Sequence, residues 1–109
     1  MKINSFIALF SSAFILLGCA TDADYNRFQE VMHGSPAAKQ DVINMCYKNT
    51  SRASQSEAVR MAKIMNVSPN SNVPRTFCTR VLNAYASKRI THRDIRDETP
   101  AFIRVIQGR

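Results

Sequence analysis

Glycine is scarce in this 109-residue chain, with three residues in all, and tryptophan is absent. A phosphate-cradling loop needs clustered glycines, and a nucleophile elbow needs G-x-S-x-G. Neither pattern occurs, and neither does H-E-x-x-H. The two histidines, His33 and His92, stand far apart, and no two of the three cysteines form a C-x-x-C. That leaves no motif for a redox-active pair or a zinc ribbon. Also missing is any stretch of about 20 apolar residues, the length a helix needs to span a bilayer core. Strand-like alternation is lacking too, apart from the ambiguous run from Phe102 to Ile106.

What is there begins with Lys2, followed by a largely apolar run of 12 residues from Phe6 to Leu17. This pairing has the proportions of a signal peptide, a positive n-region and an h-region too short for a permanent anchor. The run ends in Leu16-Leu17-Gly18-Cys19, a branched residue three before a cysteine and a small one just before it. The tetrad resembles the lipobox of bacterial lipoproteins. The resemblance implies cleavage between Gly18 and Cys19, lipid transfer to the Cys19 sulfur and acylation of the new amino group. In lipoproteins that follow the enterobacterial sorting rule, Asp after the cysteine retains the protein at the inner membrane. Ala20 therefore points to the outer membrane, facing the periplasm. Gly18 and Ala20 also have the spacing of an A-x-A-like site, and cleavage after Ala20 would release a soluble protein instead.

Removing residues 1–18 leaves 91 residues, room for one small domain. The expected organisation is a lipoprotein signal peptide over 1–18, a lipidated terminus and tether over 19–24, and a helical domain over 25–109. With Lys2 gone, 14 Lys and Arg face 8 Asp and Glu, a net charge of +6. A basic surface favours anionic lipid or an acidic envelope protein. Nucleic acid is not an expected partner outside the cytoplasm. The same charge also suits a plain solvated surface.

With Cys19 taken by lipid, Cys46 and Cys78 remain as an even pair in an oxidising compartment, and we expect them to be bridged. Apolar residues recur at helical spacing nearly throughout. Tyr25, Phe28, Val31 and Met32 form a first stripe, stopped at His33-Gly34. Ser35-Pro36 opens a second helix, with Ser as N-cap and Pro at the first helical position. Its inner stripe is Val42, Ile43, Cys46 and Tyr47, and 48–51 is its exit. Ser54 to Glu57 spells a capping box, ahead of Ala58, Met61, Ala62 and Met65. After the polar break 68–74, Pro74 starts a helix carrying Phe77, Cys78, Val81, Leu82 and Tyr85. Thr91 to Asp94 caps a short helix around Ile95, and Thr99-Pro100 leads into Phe102, Ile103, Val105 and Ile106. The fold class expected is all-α: a small bundle of four to five short helices stapled by one disulfide. Because both cysteines fall on apolar stripes, the bridge should join two helices face to face.

Candidate chemistry is thin. His92 stands two residues from Asp94, but a capped helix start explains both. His33 suits a helix end, where a partly charged imidazole meets the dipole. Met45, Met61 and Met65 could be imagined as soft copper ligands with a histidine, yet their spacing marks core filler. No catalytic residue, metal or cofactor is expected. Lys88, Arg89, Arg93 and Arg96 form the candidate surface for an anionic partner. Arg89 and Arg93 lie four apart, and so would share a side if one helix ran through them. The chain reads as a non-catalytic envelope lipoprotein, held to the membrane by lipid and acting as a binding or assembly factor. It is similar in size, anchor and helix content to pilotins, which escort outer-membrane secretion components, though it carries no pilotin sequence motif. An exclusion or inhibitor lipoprotein is a further alternative, which the net positive charge disfavours for targets that are themselves basic.

Overall fold

In a computed structural model of the chain, residues 21–109 are described, and they form six helices and no strand. The lipobox residues Leu16 to Cys19 lie outside this range. The helices are α1 (Asp22–Gly34), α2 (Pro36–Thr50), α3 (Gln55–Met65), α4 (Val73–Ala86), α5 (His92–Asp97) and α6 (Pro100–Ile106). The all-helical expectation holds. The count is six rather than four to five because each of the six capped segments, the two short C-terminal ones included, forms its own helix. Glu98 turns into the left-handed region at φ 51° to end α5, and Thr99 with Pro100 then restarts a separate helix.

Each helix begins where short polar side chains satisfy its orphan N–H groups. Ser35 Oγ accepts from Ala38 N, and Thr99 Oγ1 accepts from Phe102 N. Ser54 with Glu57, and Thr91 with Asp94, form reciprocal capping boxes. A third box lies where a tether was expected. Thr21 exchanges hydrogen bonds with Asp24, so α1 starts at Asp22 rather than Tyr25. Residues 22–24 therefore belong to the domain. The start of α4 falls one residue earlier than expected, since Asn72 supplies the cap, the helix begins at Val73 and Pro74 is its second residue.

Helix α4 is the axis of the domain. Val73, Phe77, Cys78, Val81, Leu82, Ala84, Tyr85 and Ala86 are all buried on it, so its buried face is far wider than a single stripe and leaves only the side of Thr76, Thr79 and Asn83 toward solvent. Helices α1, α2, α3 and α6 all pack against it. The Cys46–Cys78 disulfide joins α2 to α4 across a Cα–Cα distance of 5.8 Å, as the two apolar stripes required. Met61 and Met65 fill the core from α3, and Phe77 meets Phe102 of α6 edge-on at 6.3 Å.

Three residues depart from the expected pattern. Val31 is 52% exposed and Met45 54% exposed, so neither serves as core. Val31 lies at the margin of its stripe beside the buried Met32, and Met45 lies off the stripe formed by Val42, Ile43, Cys46 and Tyr47. Thr50, read as part of an exit loop, is instead only 3% exposed, because α2 continues through it. Its hydroxyl donates to Cys46 O at 2.9 Å, which keeps a polar group beside the disulfide satisfied.

Candidate functional site

Of the residues singled out from sequence, His33, Lys88 and His92 make contacts where α1 crosses the C-terminal end of α4 and the start of α5. A helix leaves its last four carbonyls unpaired. Here α1 supplies donors to two of them. Gln29 Nε2 donates to Tyr85 O at 2.8 Å and to Ile90 O at 3.0 Å, and His33 Nδ1 lies 2.9 Å from Ala86 O. A carbonyl can only accept, so the proton of this contact belongs to His33 Nδ1. His33 does sit at the end of its own helix, but the carbonyl it reaches belongs to α4. In return the Tyr85 hydroxyl donates to Tyr25 O at 2.6 Å. Burial pushes that hydroxyl from 10.0 up to about 12.

At its other end α1 is clamped to α5. The His92 ring stacks on Tyr25, with centroids 4.4 Å apart and planes 7° from parallel, and His92 Nε2 lies 2.7 Å from Asp22 Oδ1. The expected explanation of a capped helix start holds for Thr91 and Asp94. Asp94 accepts from Thr91 N, from the Thr91 hydroxyl and from the Thr99 hydroxyl. These bonds, the Thr91 amide first, hold the Asp94 carboxyl below the usual carboxylate range. His92 makes its carboxylate contact with Asp22 instead. Sequence gave no signal for this pairing, because the two residues are joined only by the docking of α1.

The four candidate cations do not share one helix face. Helix α4 ends at Ala86 and α5 begins at His92, so Lys88 and Arg89 lie in the turn between them and Arg93 and Arg96 lie on α5. Lys88 pairs with Glu30 of α1, and that hydrogen bond lowers the Glu30 carboxyl below its ordinary value. Arg96 Nε donates to Asp97 Oδ1 at 3.1 Å, lowering Asp97 in turn. Arg93 adds its field to the same carboxylate. Arg89 donates to Arg109 O at 2.7 Å. Among the described residues, Arg89 and Arg93 are thus the two of the four with no carboxylate side chain in salt-bridge contact. Local pairing halves the charge this corner can offer an outside anion.

Other cations do scaffold work that sequence did not reveal. Arg80 NH1 donates to Met65 O at 3.0 Å and to Ile106 O at 2.8 Å, closing the C-terminal ends of α3 and α6 together. Gly108, at φ +82°, lets the chain pass this guanidinium: a Cβ there would lie 3.1 Å from Arg80 Cζ. The Arg75 guanidinium covers the Tyr47 ring at 4.1 Å and donates to Asn44 Oδ1 at 3.2 Å. One carboxylate sits awkwardly. Glu98 has a buried Oε2 with no hydrogen-bond partner, and desolvation raises its carboxyl above 4.5. Among the described residues no cluster of three or more His, Cys, Asp or Glu could hold a metal ion. Comparison with protein-family models, with curated proteins and with solved structures finds no match.

Proposed function

We propose that the chain is a small envelope lipoprotein, lipidated on Cys19, whose folded part acts as a non-catalytic binding or assembly factor on the periplasmic side of the outer membrane. The observation that carries this reading is the fully buried Cys46–Cys78 bridge in the core that follows a lipobox tetrad. Structural disulfides persist in oxidising compartments, so the bridge and the export motif point to the same side of a membrane. None of the described helices is long and apolar enough to cross a membrane, which fits attachment through lipid. The non-catalytic reading draws support from where the reactive side chains are used. Cys46 and Cys78 close the bridge, His33 reaches α4 and His92 clamps α5 to α1.

An anionic partner, lipid or envelope protein, would meet the corner through Arg89 and Arg93, with Lys88 and Arg96 as the locally paired members. The experiment is metabolic labelling with a fatty-acid probe, run beside fractionation of the envelope. The parent should label and sediment with outer membrane. Cys19→Ser should lose the label and leave an unprocessed or differently cleaved precursor. Equal labelling of Cys19→Ser would sink the anchor. Pull-down of the lipidated protein from detergent-solubilised envelope then identifies the partner.

A further inference from the structure

We infer that α1 is a releasable strap, a helix that leaves the domain as a unit by hinging at Gly34–Ser35 while α2 to α6 stay folded. Three features of its docking carry this. First, α1 packs on α2, α4 and α5 with little fully buried apolar area, and apart from the Tyr25–His92 ring stack its named contacts are polar. Gln29 and His33 reach the carbonyls of α4 and the turn after it, Tyr85 reaches back to Tyr25 O, and the pairs His92–Asp22 and Lys88–Glu30 fasten its two ends. The only residue it buries fully is Met32, with Phe28 packed partly against the core. Polar contacts on a half-exposed face exchange readily for contacts with water, and so hold far less firmly than buried apolar area.

Second, the joint to α2 is a single residue. Ser35 is extended, at φ −138° and ψ 102°, and its hydroxyl caps α2 by accepting from Ala38 N. Nothing in that cap involves a contact from α1, so α2 keeps its start when α1 swings. At Gly34 a Cβ would meet nothing within 4 Å, so the hinge is unobstructed. Third, α1 lies outside the loop closed by Cys46 and Cys78. The disulfide therefore ties α2 to α4 and places no cross-link on α1, which, unlike α5 and α6, also joins the stapled core only through the one-residue joint at Ser35. Elements with few buried apolar contacts and no cross-link occupy the low end of a protein's local stability scale.

Release has a consequence that rests on the lipid anchor proposed at Cys19. Docked, α1 folds the chain back along α4 and α5 and keeps the domain close to the point of attachment. Released, its 13 residues add about 20 Å of reach even if they stay helical. The strap thus sets two working distances between the membrane and the stapled core.

Native-state hydrogen exchange on the full chain in detergent tests this. The amides of Phe28 to His33 should exchange as one group at least roughly tenfold faster than those of Val81 and Leu82 in α4. Gln29→Ala removes two of the bonds and should speed α1 by about another tenfold, with α4 unchanged. Exchange of α1 and α4 at one common rate would overturn the proposal. So would a Gln29→Ala variant that accelerates both in proportion. Measuring Cys19→Ser alongside separates the two readings, since the exchange contrast is a property of the docked helix and persists without lipid.

Discussion

The bridge between Cys46 and Cys78 spans a sequence separation of 32. Opening a loop of that length restores chain entropy to the unfolded state, and the loop-closure relation gives about 3.7 kcal/mol. For a domain of this size that is a large part of the whole stability. With a shift of about 4–8 °C per kcal/mol, Tm should fall by about 15–30 °C. Two variants separate the contributions. Reduction keeps both sulfur atoms in the core and isolates the cross-link. The double substitution Cys46→Ala with Cys78→Ala also empties two sites that are 4% and 0% exposed, and cavities there lower Tm further. Thr50 is not orphaned in either case, because its hydroxyl still donates to Cys46 O at 2.9 Å. The assay is thermal unfolding by circular dichroism on bridged, reduced and doubly substituted protein. A reduced protein that melts within about 5 °C of the bridged form would refute the entropic reasoning. Thiols that titrate in the native protein before any reductant is added would refute the bridge itself.

Arg80→Met keeps the side chain's apolar stem but removes the donors that close α3 and α6 at Met65 O and Ile106 O. It should cost about 2–4 kcal/mol in chemical denaturation, and a loss below about 0.5 kcal/mol would show that water replaces the guanidinium freely. Folding raises the Tyr85 hydroxyl from 10.0 to about 12, so the unfolded chain gives up that proton first. Stability should be intact below about pH 10 and fall between pH 10 and 12; Tyr85→Phe should flatten that fall, and an unchanged alkaline limb would assign it elsewhere. Glu98 has its carboxyl raised by burial, so its contribution is complete below about pH 4.5 and lost as pH rises above it. Glu98→Gln should therefore raise Tm at pH 7 and lose that advantage near pH 4, whereas a variant less stable than the parent at pH 7 would point to a charge contact the carboxylate makes.

Local chemistry was legible in the sequence because it acts over three or four residues. Ser35, Ser54, Thr91 and Thr99 cap helices as their neighbours dictate, and the spacing of Ile43, Cys46, Phe77 and Cys78 was enough to place both cysteines on buried faces. The capping box of Thr21 and Asp24 was equally local, and could have been read had the segment before Tyr25 not been taken as tether. Helix margins were harder. Val31 fits the margin of an apolar stripe at 100° per residue, and its exposure shows only in the packed structure, whereas Met45, read as core filler, lies off the stripe of Val42, Ile43, Cys46 and Tyr47. What tertiary structure alone determined is the use of the polar side chains. Gln29, His33, Arg80 and His92 each reach a partner brought near by packing, with no periodicity or motif to announce it. The candidate cations show the same limit. Their number and sign are fixed by sequence, but pairing with Glu30 and Asp97 depends on where α1 lies and how α5 ends. A charge is a property of a residue, whereas the potential it offers a partner depends on every charge the fold sets beside it.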